Sequence, residues 1–162
     1  MNQTEPPVAY MERTRAYYRA LGYSPDYVWS HYDDVPFTAL PGRLATLRLT
    51  LVTTSSPIVR DNRDARGVKH VWSAPVTPPP TALFTDDLAW DKESTHTRDV
   101  DSFVPLTAAQ AFASEGRFAG LTSHFHGIST EYSHRKTIKE DAPELLQRLR
   151  DQNAEGAILC PI

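Results

Sequence analysis

The chain is short of most features that assign a class at a glance. It has one cysteine, Cys160, which rules out an internal disulfide and makes the reducing cytoplasm the expected compartment. No apolar run approaches the roughly 20 residues needed to span a bilayer, so a membrane role is not expected. The opening MNQTEPPVAY has neither the basic start nor the apolar stretch of a secretory signal. Its 17 Lys and Arg are scattered among 20 Asp and Glu for a net charge of −3, so there is no basic stripe for DNA or RNA. Glycine is sparse, at 7 residues, and neither GxGxxG nor a P-loop occurs, so no nucleotide cofactor is indicated. There is no internal repeat, and the only biased stretch is the proline run from Ala74 to Pro80.

What is present describes one α/β domain of 162 residues, with 40% hydrophobic and 23% charged side chains. Residues 1–42 form an N-terminal helix and aromatic arm. Pro6 and Pro7 precede Met11, Thr14, Tyr18 and Leu21 at helical spacing, and Gly22 stands at the stop. Tyr10, Tyr17, Tyr18, Tyr23, Tyr27, Trp29, Tyr32 and Phe37 crowd this arm, either packing it on the domain or forming a stacking surface. The run Leu44 to Val52 predicts a first core strand. The hydroxyls that follow, Thr53, Thr54, Ser55 and Ser56, make either a solvated turn or an anion-docking edge.

Residues 57–80 are too charged and proline-rich for regular structure and predict a long surface loop. A short strand is expected at Ala82 to Phe84. A helix then starts at Thr107, with Gln110 at capping-box spacing, and ends at Gly116; a strand follows over Phe118 to Phe125. The last helix is announced by Asp141, Pro143 and Glu144, carries Leu145, Leu146 and Leu149 on one face, and pairs Glu144 with Arg148. GAILC closes the chain and reads as a strand buried on both faces. The alternation predicts an open, mainly parallel sheet with flanking helices, Rossmann-like without the dinucleotide fingerprint.

Two constellations carry chemistry. His124 and His126 share a strand face, where they meet one metal ion or substrate, with His96, His134, Glu131 or Asp99 available as further ligands. Ordinary hydrogen bonds at the polar end of a strand also account for them, and no metal is assigned; a metal-dependent hydrolase or lyase is the alternative function built on this pair. The second is Thr95-His96-Thr97-Arg98-Asp99, where Arg98 either forks a substrate carboxylate oriented by Asp99 or forms an ion pair with it.

THTRDVDSFVPL, SEGRFAGLTSHFHGIST and EDAPELLQRLRDQNAEGAILCPI, with RALGY, HYDDVPFTAL and RLTLVTTSS upstream, resemble in order and spacing the glycine/sarcosine/betaine and D-proline reductase family, of the selenoprotein B type. The resemblance implies an oxidoreductase subunit for reductive C–N cleavage of a small amino-acid-like substrate, working with a dithiol or thioredoxin-like reductant. It further implies Arg98, Thr53, Thr54, Ser55 and Ser129 at the substrate and His96, Asp99 and His126 in proton transfer. A pyruvoyl group is possible on a partner subunit; this chain itself is expected to carry no cofactor.

In that family the strand matching GAILCPI leads into a reactive selenocysteine or cysteine. The expectation is therefore a nucleophile directly after Ile162, the sequence having been cut at a recoded UGA. Cys160, inside the apolar run, is read as a core residue with a raised thiol pKa. A strand lacking its covering helix leads to an expected homo- or hetero-oligomer, or else a noncatalytic partner-binding module.

Overall fold

The computed structural model describes residues 7–26, 31–35, 38–57, 62–86, 93–94, 97–128, 130 and 133–162. The chain divides into two compact units, Met1–Thr38 and Ala39–Ile162.

In the first unit, helix α1 spans Tyr10–Ala20. It ends because Gly22 takes φ 83°, a left-handed turn that lets Gly22 N and Tyr23 N reach back to Arg19 O and Tyr18 O. No residue of α1 is buried. The aromatics pair with each other instead of entering a core: Tyr18 meets Tyr17 and Tyr23 edge-on at 5.7 and 5.6 Å, while Tyr10 stays 71% exposed. Tyr27, Trp29 and Phe37 lie outside the described residues.

The second unit is built around strand β1, Arg48–Thr53. Every residue but Arg48 is buried, as the Leu/Thr/Val alternation requires of a strand covered on both faces. It starts later than the sequence suggested, because Leu44–Thr46 form a 3-10 turn in which the Thr46 hydroxyl donates to Arg43 O. β1 pairs in parallel with β3 (Gly120–Leu121), β4 (His124–Gly127) and β5 (Gly156–Cys160). Its carbonyls show how. Leu47, Leu49 and Thr53 O accept from Ala119, Thr122 and Ile128 N, whereas Arg48 O accepts from Glu155 N. Alternate residues of a strand point to opposite edges, so β3 and β4 are one interrupted strand along one edge and β5 lies along the other. The strand expected over Phe118 to Phe125 is thus broken by a bulge at Thr122 and Ser123.

Strand β2, Trp72–Pro75, falls within the stretch expected to be irregular, and it pairs antiparallel with β4. Pro75 is tolerated because the strand is short and at the sheet's edge. Gly127 has no alternative there: a Cβ would lie 2.0 Å from Trp72 Nε1. Upstream, residues 62–70 make a hairpin around Asp64, whose Oδ1 accepts from Arg66 and Val68 N; those bonds hold the carboxyl down at about 2. Ala82 to Phe84 gives only a bridge between Phe84 and Ser56, not a strand. The sheet is therefore open, mixed and mostly parallel, with flanking helices.

Helix α2, Leu106–Ser114, lacks the expected capping box. Asp101 Oδ1 accepts from Thr107 N at 2.8 Å, and Gln110 reaches across to Val76 O. Leu106 joins Leu49, Leu51, Phe125, Trp72 and Cys160 in the core, with Trp72 and Phe125 edge to face at 5.4 Å. The final helical segment begins earlier than predicted: a turn α3 (His134–Lys136) and a π segment (Thr137–Asp141) run into α4 (Ala142–Asp151). Asp141, expected to cap, is instead buried against Lys136 Nζ at 2.5 Å. Leu145 and Leu149 are half-buried, but Leu146 is exposed. Glu144 and Arg148 pair as expected.

Pairing places Leu49, Leu51 and Phe125 on the face covered by α2, and Val52, His126 and Ser73 on the other, where Arg148 bonds to Ser73 and Gln152 to His126 from the α4 end. β5 is the main correction. Cys160 is buried in the core, but Leu159 is 72% exposed and Ile158 36%, so the closing strand is an edge and not a strand covered on both faces.

Candidate active site at the carboxyl edge of the sheet

β1 leads on toward α2 on one face and β4 toward α4 on the other, which opens a crevice beyond their carboxyl ends. The hydroxyl run lies here, but it is no solvated turn. Thr53 and Ser55 are fully buried: Thr53 Oγ1 accepts from Ser55 N and donates to Ser55 Oγ, both at 3.2 Å. The Trp72 indole donates to Ser55 O at 3.1 Å. Half-buried Thr54 holds the end of β5, its hydroxyl accepting from Ile162 N at 2.9 Å and donating to Ile162 O at 3.1 Å. These side chains therefore build the edge and tie the strand ends together.

Arg98 reaches the same edge through two links. Ser56 and Phe84 exchange backbone bonds at 3.1 Å, and the Thr85 hydroxyl meets Thr97 Oγ1 at 2.6 Å, one residue before Arg98. Arg98 then lines a cleft of about 300 Å³ with Thr81, Asp99, Asp101, Leu106 and Thr107. It is exposed, and among the described residues it makes no hydrogen bond or ion pair. The ion pair with Asp99 does not form; Asp99 Oδ1 instead accepts from Asp101 N at 3.1 Å, capping the short helix Val100–Ser102. Asp99 and Asp101 each commit one oxygen to a backbone N–H and leave the other unbonded among the described residues. The Asp-x-Asp spacing ahead of the helix was the signal for Asp101. Nothing in the sequence pointed to Thr81.

His126 has other employment, and donor logic fixes its proton. Gln152 Oε1 accepts from His124 N at 2.9 Å, a donor that cannot be anything else, so the amide NH₂ faces His126 Nε2 at 3.0 Å. Nε2 must accept, and the ring proton sits on Nδ1, which donates to Ser73 Oγ at 2.8 Å. Ser73 Oγ also accepts from Arg148 at 2.9 Å. Burial, then the charge of Arg148 and His124, push His126 down to about 4. The ring is neutral at pH 7 with both nitrogens engaged, which fits neither the proton transfer near pH 7 nor the metal ligation considered for it. His124 shares its face but is exposed, with Nδ1 on Ser123 Oγ at 3.0 Å. Among the described residues no group of three or more His, Cys, Asp or Glu side chains is placed to hold a metal ion.

Arg98, Asp99 and the Thr53–Ser55 turn thus share one edge, while His126 lies on the α4 face, away from the α2 side where Leu106 lines the cleft. His96 and Ser129 lie outside the described residues. Burial raises the Cys160 thiol above its usual range, so it is a poor nucleophile. No described helix is long and apolar enough to cross a membrane. A scan against protein-family models gives no match, and neither curated proteins nor solved structures give one.

Proposed function

We propose that the chain is the substrate-binding α/β part of an oxidoreductase that cleaves a C–N bond reductively in a small amino-acid-like carboxylate. One observation carries the reading: an arginine without a partner among the described residues lines a cleft at the carboxyl edge of a mostly parallel sheet. Guanidinium groups without a protein partner are suited to bidentate recognition of a carboxylate. Asp99 and Asp101 line the same cleft, each with one carboxylate oxygen unbonded among the described residues as an acceptor for the substrate's cationic nitrogen.

The resemblance to selenoprotein B type reductases supplies the reaction class. A chalcogen residue directly after Ile162 fits this edge, because Thr54 holds the backbone of Ile162 beside the hydroxyl turn. Such a residue supplies a nucleophile for the substrate carbon, with a dithiol or thioredoxin-like protein as electron donor. This chain's own residues bind and orient: Arg98 holds the carboxylate, Asp99 and Asp101 the amine, and Thr54 fixes the strand end.

The test is calorimetric titration of the chain with glycine, sarcosine, betaine and D-proline, each beside its carboxamide. Carboxylates are expected to bind, with affinity falling about tenfold or more in Arg98→Ala and partly kept in Arg98→Lys. Equal binding of acid and amide, or no effect of Arg98→Ala, defeats the proposal.

A further inference from the structure

Among the described residues, strand β5 is paired on one side only. The even residues of β1 face β5, as Arg48 O shows, and the register sets Thr50 beside Ala157 and Val52 beside Leu159. Paired residues of parallel strands turn their backbone groups the same way, so Gly156, Ile158 and Cys160 face β1, as Ile162 does through Thr54. The N–H and C=O groups of Ala157 and Leu159 therefore point outward. Natural edge strands are normally guarded by a lysine, a proline or a bulge. GAILC has none of these, and its register with β1 runs unbroken from Gly156 to Cys160. Leu159 stands 72% exposed on one face and Ile158 36% on the other.

The geometry points to a second copy of this chain as the occupant of that edge, adding β5 to β5 antiparallel about a two-fold axis at Ile158. In this register both outward residues find partners, Ala157 with Leu159 of the second copy and Leu159 with its Ala157, while Ile158 faces its own equivalent. Side-chain sizes match as well, since Ala157 falls opposite Leu159 and glycine opposite cysteine. Charge agrees: Glu155, the charged residue next to the strand, lies opposite Pro161 of the second copy, so the two carboxylates sit at opposite ends. The next registers that keep outward groups facing each other pair Ala157 with itself, which leaves Leu159 opposite Glu155, or pair Leu159 with itself, which leaves Ala157 opposite Pro161; either partner lies outside the strand. The result is an isologous interface, and it joins two sheets into one.

Sedimentation velocity on the whole chain over a range of concentrations is the first measurement, with a monomer–dimer equilibrium expected. Leu159→Lys alters an exposed side chain, so the monomer fold is kept, and it should raise the dimer dissociation constant at least about tenfold. The register is read separately with Ile158→Cys in a Cys160→Ser background, which should form a reducible dimer under mild oxidation faster than Ala157→Cys, because position 158 alone meets itself. A monomer at every concentration overturns the proposal. So does a dimer indifferent to Leu159→Lys, or cross-linking no faster at 158 than at 157.

Discussion

At the scale of single residues, the backbone N–H of His124 decides which nitrogen of His126 carries the proton, with the Gln152 amide passing the constraint along. The consequence is a pH dependence of known sign. The folded pKa of His126 is about 4, while an unfolded histidine titrates near 6.5, so between those values only the unfolded chain binds the proton. The stabilisation is complete above roughly pH 6.5 and is lost as the pH falls toward 4, a change of roughly 3 kcal/mol from this one group. Urea unfolding of the chain and of His126→Gln at pH 7 and pH 4.5 checks this: the variant should lose most of the difference in stability between the two pH values. Composition alone gave no sign of such a lock. His-x-His indicates a shared strand face, but the identity of the groups on the opposing helix end is a tertiary matter.

At the scale of elements, the helical segment His134 to Asp151 shows why a local start signal misleads. Asp141-Ala142-Pro143-Glu144 has every mark of a helix beginning, and proline inside a regular helix clashes with the carbonyl four residues back. A π turn relieves that conflict by widening the backbone just before Pro143. Its spacing also brings Lys136 and Asp141, five residues apart, into a pair with side chains only 12% and 6% exposed. Removing one member leaves a buried charge alone, so Asp141→Asn is expected to destabilise the chain by about 3 kcal/mol, whereas Lys136→Met with Asp141→Leu recovers most of that. A double-mutant cycle by denaturant unfolding measures it. The same limit hid β2: four residues ending in proline carry too little pattern to announce a strand, and it exists because β4 offers Trp72 the glycine at 127 to lie against.

At the scale of the whole molecule, no buried residue of the second unit's core comes from the described part of the first 38 positions; the core begins at Leu47. The tyrosines of the arm pair within the arm, and α1 is shorter than a helix that stands alone in water. A chain starting at Ala39 should therefore keep its cooperative thermal unfolding, with a midpoint within about 4 °C of the full chain, corresponding to less than about 1 kcal/mol. The order strand, helix, strand, helix, strand was legible, since long apolar and capped segments fix it, and the edge bearing Arg98 and Thr53–Ser55 follows from that order. What stayed illegible was each departure from regularity, because bulges, π turns and edge placement are settled by neighbours distant in sequence. The bulge at Thr122 and Ser123 has one further consequence. It holds two extra residues, so the ladder resumes with unchanged parity and Phe125 returns to the side that Leu121 occupies. One residue more or fewer would turn the phenylalanine outward and the imidazole inward, so the length of this joint is free to change only in steps of two.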